Sequence, residues 1–201
     1  MAPVVAGSSA LLAFLVRRFN LDGEGSALLS AAVRPLSIAK NELILRPGES
    51  CDSLWFLVDG AMRSYSVNGK GDEFTYFLFF ESSFVTDYRS LVTGEPSRFS
   101  IEALEPCRLE VLALRSLNAI LERYPEGLKI VRALDEAAYV ELDRRTESLL
   151  LESAADRYRR FLSEYAEQAG RIPQYVLASW LGIKPESLSR IRRKLGLGRS
   201  G

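Results

Sequence analysis

Between Arg171 and Leu195 the apolar positions recur with the period of two short helices. At about 100° per residue, Val176, Leu177, Trp180 and Leu181 share one face of a first helix, and Ala178 is small enough for a second helix to cross closely. Gly182 breaks the pattern. Pro185 suits the first position of a new helix, where a missing N–H costs nothing, and it biases Lys184 away from helical geometry. On that second helix Leu188, Ile191 and Leu195 form a buried stripe. Glu186, Ser189, Arg190 and Arg193 fall opposite, flanked by Lys184, Arg192 and Lys194. The pair is predicted to be a helix-turn-helix whose second helix packs by one face and leaves the other free.

Upstream the pattern is different. Ser8 and Ser9 are candidate caps for a helix over 10–19, and a second helix is predicted over 25–33, ended by Pro35. From Leu36 the texture changes to short apolar or alternating runs separated by Gly, Pro, Asn and Asp, the spacing of strands in an antiparallel barrel or jelly roll. Strands are predicted near 43–45, 54–58, 61–67, 73–80, 100–105 and 108–113. Asn68-Gly69-Lys70-Gly71 signals a hairpin, and Gly60 a turn.

After a short helix at 117–124, Pro125 opens the longest helical pattern, which continues to about Glu152. Ile130, Val131, Leu134, Ala137, Ala138 and Leu142 recur at intervals of three and four, a stripe wide enough to meet both a barrel and another subunit. The register breaks near Ser153. Ser153-Ala-Ala-Asp156 reads as a capping box opening a helix to about Gln168, with Tyr158, Phe161, Leu162 and Tyr165 on its buried side.

Charge sharpens the picture. From Arg171 onward there are seven Lys/Arg against one acid, about +6, in a chain of zero formal charge, so the remainder carries about −6. The free face of the second helix has the chemistry of a major-groove reader: arginine bonds bidentately to guanine, glutamate accepts from cytosine, and serine bonds either kind of base edge. The surrounding cations suit phosphates.

Composition removes other functions. Nearly half the residues are apolar, ample for a core. There is no histidine, which excludes serine–histidine catalysis and histidine-based zinc or haem ligation. The two cysteines, Cys51 and Cys107, are too few to hold an iron–sulfur cluster and are expected to be free thiols in strands. With no paired carboxylates or nucleophile–base pair in view, no enzyme, metal or cofactor is expected. The run from Leu11 to Val16 is too short to span a bilayer, and Arg17 and Arg18 follow it instead of preceding it as in a signal peptide, so the chain is expected to be cytoplasmic.

Gln174, Ala178, Gly182 and then Glu186-x-x-Ser189-Arg190 resemble the helix-turn-helix of the Crp/Fnr superfamily of bacterial transcription regulators. Pro47-Gly48-Glu49, then 54–58, then Gly60 resemble the opening strands of a cyclic-nucleotide-binding domain. The resemblance implies an α+β protein. Residues 1–124 form an antiparallel β jelly roll that acts as sensor, 125–152 a dimerisation helix, and 153–201 an all-α helix-turn-helix domain. It also implies double-stranded DNA and a second copy of the chain as partners, with RNA polymerase a further candidate. Glu186, Ser189 and Arg190 would read bases. Phosphate contacts would come from Arg171, Lys184, Arg192, Arg193 and Lys194, since only six residues follow Leu195 and leave no room for a β-hairpin wing.

The family's phosphate-binding cassette maps to 84–101. There Thr86-Asp87 replaces the usual Gly-Glu, and Ser97-Arg98-Phe99 stands where Arg-Ser/Thr is expected. One gap decides whether Arg98 is the cassette arginine or lies one residue beyond it, on the opposite strand face. The altered cassette predicts a barrel that does not answer to cyclic AMP. It serves either as a scaffold or as the pocket for another ligand, with Thr86, Asp87, Tyr88, Arg89 and Arg98 as its candidate residues. An alternative output of the chain is a protein contact made by a cyclic-nucleotide-binding module.

Overall fold

In the computed structural model, which describes residues 9–196, Ser9 accepts a hydrogen bond from the Leu12 N–H at 3.1 Å and so caps α1 (Ala10–Phe19). Ser8 lies outside the described residues. The Glu110 carboxylate also accepts from the Ala10 and Leu11 N–H groups, at 2.9 and 2.8 Å, placing negative charge at the helix N-terminus where the backbone dipoles favour it. The second helix, α2 (Gly23–Ala32), starts earlier than the pattern suggested because Asp22 caps it through the Gly25 N–H.

Pro35 does not end that helix. It lies inside a strand the sequence reading missed, β1 (Arg34–Ile38), which sits at the edge of its sheet, where a missing donor is tolerated. The other strands are β2 (Leu43–Leu45), β3 (Ser53–Asp59), β4 (Met62–Val67), β5 (Glu73–Phe79), β6 (Phe84–Val85), β7 (Ser100–Ala103) and β8 (Cys107–Ala113). They form two four-stranded antiparallel sheets, ordered β1-β8-β3-β6 and β2-β7-β4-β5, the layering of a jelly roll.

Trp55, Leu57, Met62, Val85, Ile101, Ala103 and Leu109 fill the space between the sheets. Phe56 and Leu112 point the other way, into a second cluster with Leu11, Leu15 and Leu29. The unbroken apolar run at 54–58 reflects this burial on both faces. The 68–71 turn forms as expected: Asn68 Oδ1 accepts from the Lys70 and Asp72 N–H groups, and β4 pairs with β5. At Gly60 the φ of 112° and a position that would put any Cβ 2.5 Å from Cys107 Sγ admit no other residue without rearrangement. Cys51 and Cys107 are free and buried, but Cys51 precedes β3 and is not in a strand. Burial pushes the Cys107 thiol up to about 11.

The chain also forms α3 (Tyr88–Thr93), between β6 and β7, and, after β8, α4 (Leu114–Arg123). The long helix α5 (Gly127–Leu151) follows and measures about 38 Å at the standard rise per residue. Its stripe divides. Ile130, Val131 and Leu134 are half-buried beside α1, α2 and α4, whereas Ala137, Ala138 and Leu142 are exposed, together with Tyr139, Leu150 and Leu151. Ser153 then caps α6 (Ala154–Glu164): its hydroxyl accepts from the Asp156 N–H and donates to Asp156 Oδ2 at 2.6 Å. This helix stops before Gln168, where Tyr165 leaves helical geometry and stacks its ring 5.1 Å from that of Phe80 in the barrel. The last two helices are α7 (Gln174–Trp180) and α8 (Pro185–Lys194).

Candidate nucleic-acid interface

The turn between α7 and α8 is closed by the backbone. Ile183 N–H reaches Ala178 O and Gly182 N–H reaches Ser179 O, both at 3.0 Å, and Gly182 takes φ 70°, the left-handed position that favours glycine at a helix end. Lys184 is extended and Pro185 begins α8. Val176, Leu177, Ala178, Leu181 and Leu188 are all at most 1% exposed, so the two helices share one core. Ile191 and Leu195 border it.

The opposite side of α8 is open. Glu186, Ser189, Arg190, Arg193 and Lys194 are exposed, as is Lys184, and Arg192 is half-buried. Arg190 donates to Ser187 Oγ at 3.0 Å. Among the described residues, no carboxylate pairs with any of these five cations. The face is therefore a set of donors with one carboxylate near the helix start.

Arg171 corrects the sequence reading. Its guanidinium is held by Glu81, at 2.5 and 3.2 Å, and by Glu105, at 2.9 Å from Nε, so it faces the barrel's carboxylates and is not free for a phosphate. These bonds raise its pKa above the usual arginine value.

Arg157 and Arg145 also went unrecognised. Arg157, 7% exposed, donates to Leu181 O, Glu152 O and Ser148 O, tying the ends of α5 and α7 together. Arg145 lies 4.3 Å over the Trp180 ring and donates to Trp180 O. Burial, then the nearby Arg157 and Arg160, lowers it to about 10, which still leaves it charged at neutral pH. Arginines in a helix pattern read as solvated, and only the fold shows which carbonyls they meet.

At the cassette, Asp87 caps α3 through the Ser90 N–H and accepts from Ser97 Oγ at 2.6 Å, both residues being buried. Arg98 is exposed. Arg89 pairs with Glu95, Tyr88 is exposed beside Asp135 of α5, and Thr86 Oγ1 donates to Ser53 O at 3.2 Å. The five candidates are thus split, with Thr86 and Asp87 turned in and the two arginines out. Among the described residues no group of three Cys, Asp or Glu is placed to hold a metal, and no helix is long and apolar enough to cross a membrane.

Residues 35–124 match the cyclic nucleotide-binding domain family. The nitrogen fixation regulation protein FixK of Azorhizobium caulinodans is 27% identical over 179 residues, covering 81% of this chain and 69% of that protein. The chain is similar to Crp/Fnr-type regulators over both its barrel and its helical end. Solved structures share the fold across both the barrel and the helical end. FixK2 from Bradyrhizobium japonicum has a TM-score of 0.73 at 20% identity, covering 84% of this chain and 89% of that one. A putative Crp/Fnr-family transcriptional regulator from Eubacterium rectale has 0.69 at 19%, covering 89% and 85%. The Azorhizobium protein and the Eubacterium rectale protein are both named as regulators.

Proposed function

We propose that the protein is a sequence-specific DNA-binding transcription regulator that acts as a homodimer on a palindromic site. The observation that carries this reading is the exposed, unpaired basic face of α8. Glu186, Ser189 and Arg190 meet base edges, and Lys184, Arg192, Arg193 and Lys194 meet phosphates. The exposed apolar positions of α5, from Ala137 to Leu142 and on to Leu151, pair with their copies in a second chain and set the two reading helices one turn of DNA apart. On this reading the sensor ends at 124, the dimer helix at 152, and the reading domain begins at 153.

The barrel is a signalling scaffold that does not respond to cyclic AMP. Support comes from Asp87, whose carboxylate is taken by Ser97 and the α3 cap, and from Arg98, which is exposed. Arg190→Ala tests the DNA reading by fluorescence anisotropy on operator and mismatched duplexes. A base reader loses about 1–3 kcal/mol and its discrimination at one base pair; equal affinity for all duplexes in the wild type contradicts the proposal.

A further inference from the structure

Strand β5 ends its sheet, so one row of its backbone N–H and C=O groups has no strand to pair with. One side chain of the helical domain closes part of that row. Ser179 Oγ accepts from the Thr75 N–H and donates to Glu73 O, both at 2.8 Å, and Thr75 beneath it is 4% exposed. A second fastening lies at Arg171, where Glu81 and Glu105 of the barrel both hold the guanidinium. Glu81 is itself fixed by the Gly60 N–H at 3.0 Å. A third contact is made by Arg63, 1% exposed on β4, whose guanidinium lies 4.0 Å from the Tyr65 ring and 5.5 Å from that of Tyr175 on α7. Ala61, Phe80 and Leu104 of the barrel share one apolar cluster with Phe161, Val176, Leu177 and Leu188.

We infer that Ser179 and Arg171 are positioning residues for the reading helix: they fasten α7 to the open edge of β5 and to Glu81 and Glu105, so the barrel sets the attitude of α8 directly, without going through α5. The inference rests on the reading of α8 as a DNA helix. The closed turn at Gly182 and the buried Leu188 make α7 and α8 one body, so whatever fixes α7 fixes α8. The fastened arrangement leaves Glu186, Ser189 and Arg190 exposed, so it holds the reading face ready and does not cover it.

The test uses the full chain with Ser179→Ala, Arg171→Gln, the double variant, and Ser179→Thr, which keeps the hydroxyl. Amide exchange at Thr75 reports the fastening without DNA. The ratio of affinities for an operator and a random duplex, with its salt dependence, reports the positioning. Ser179→Ala is expected to speed Thr75 exchange and Ser179→Thr to keep it slow. The double variant is expected to lose about tenfold in the operator-to-random ratio with an unchanged salt slope. If the double variant does not fold, the single variants carry the same comparison, each with a smaller loss.

Three results overturn the inference: rapid Thr75 exchange in the wild type, an unchanged ratio once exchange is fast, or a salt slope that falls by about one on Arg171→Gln, which would make Arg171 a phosphate ligand. A wild type indifferent to sequence removes the DNA reading, and the positioning role with it. Thr75 protection then still separates that failure from a failure of the fastening.

Discussion

Ser97 donates a 2.6 Å hydrogen bond to Asp87, and both side chains are buried. The pair ties the segment that resembles a ligand cassette to the start of α3: one Asp87 oxygen accepts from Ser97, and the other caps the helix. Asp87→Ala is expected to cost about 1–2 kcal/mol, from the lost cap and from the unpaired Ser97 hydroxyl. Urea unfolding should show a lower midpoint at constant slope. Titration of the wild type with cyclic AMP should give no saturable heat.

The free half of the α5 stripe makes a separate prediction. Ala138→Glu places a charge among the exposed apolar positions that include Tyr139 and Leu142. Sedimentation is expected to show a dimer for the wild type and a monomer for the variant, with operator affinity lost alongside. A dimeric variant would move the dimer interface elsewhere.

Arg157 is expected to matter for stability more than for DNA. Arg157→Met removes the donor to the buried Leu181 O and to Glu152 O, while Ser148 O keeps the Glu152 N–H, at a cost of about 1–3 kcal/mol. The measurement is chemical unfolding of the full chain.

How far the sequence foretold all this depends on the kind of contact. The helix pair at 174–194 was legible because glycine, proline and the 3.6-residue period act locally, and the structure places Gly182, Pro185 and Leu188 in the roles read from them. Strand β1 was not, because Pro35 argues against a strand unless the strand is known to lie at an edge. Arg171 shows the same limit. Its charge was visible in the sequence, but the carboxylates that take it come from residues 81 and 105, which only the fold brings near.

The Glu81–Arg171 pair carries a pH dependence of definite sign. Burial alone would raise the Glu81 pKa, but hydrogen bonds from Arg171 and the Gly60 N–H outweigh it and hold the carboxyl below its ordinary value. Its contribution is therefore present above the unfolded-state pKa and is lost as pH falls through the lower folded value. Since about a third of the side chain is exposed, the effect is small. Glu81→Gln should flatten the acid limb of a stability-against-pH curve between about pH 5 and 3; a limb that keeps its steepness would assign the acid loss to other carboxylates.

The central claim is that α8 reads base sequence, and selecting duplexes from a random pool with the purified full chain tests it most directly. The expected product is a palindrome whose half-sites lie about 10–11 base pairs apart, or a multiple of that. The same selection with Glu186, Ser189 and Arg190 all changed to alanine should lose the half-site sequence. No enrichment by the wild type, or the same palindrome from the triple variant, would contradict the account.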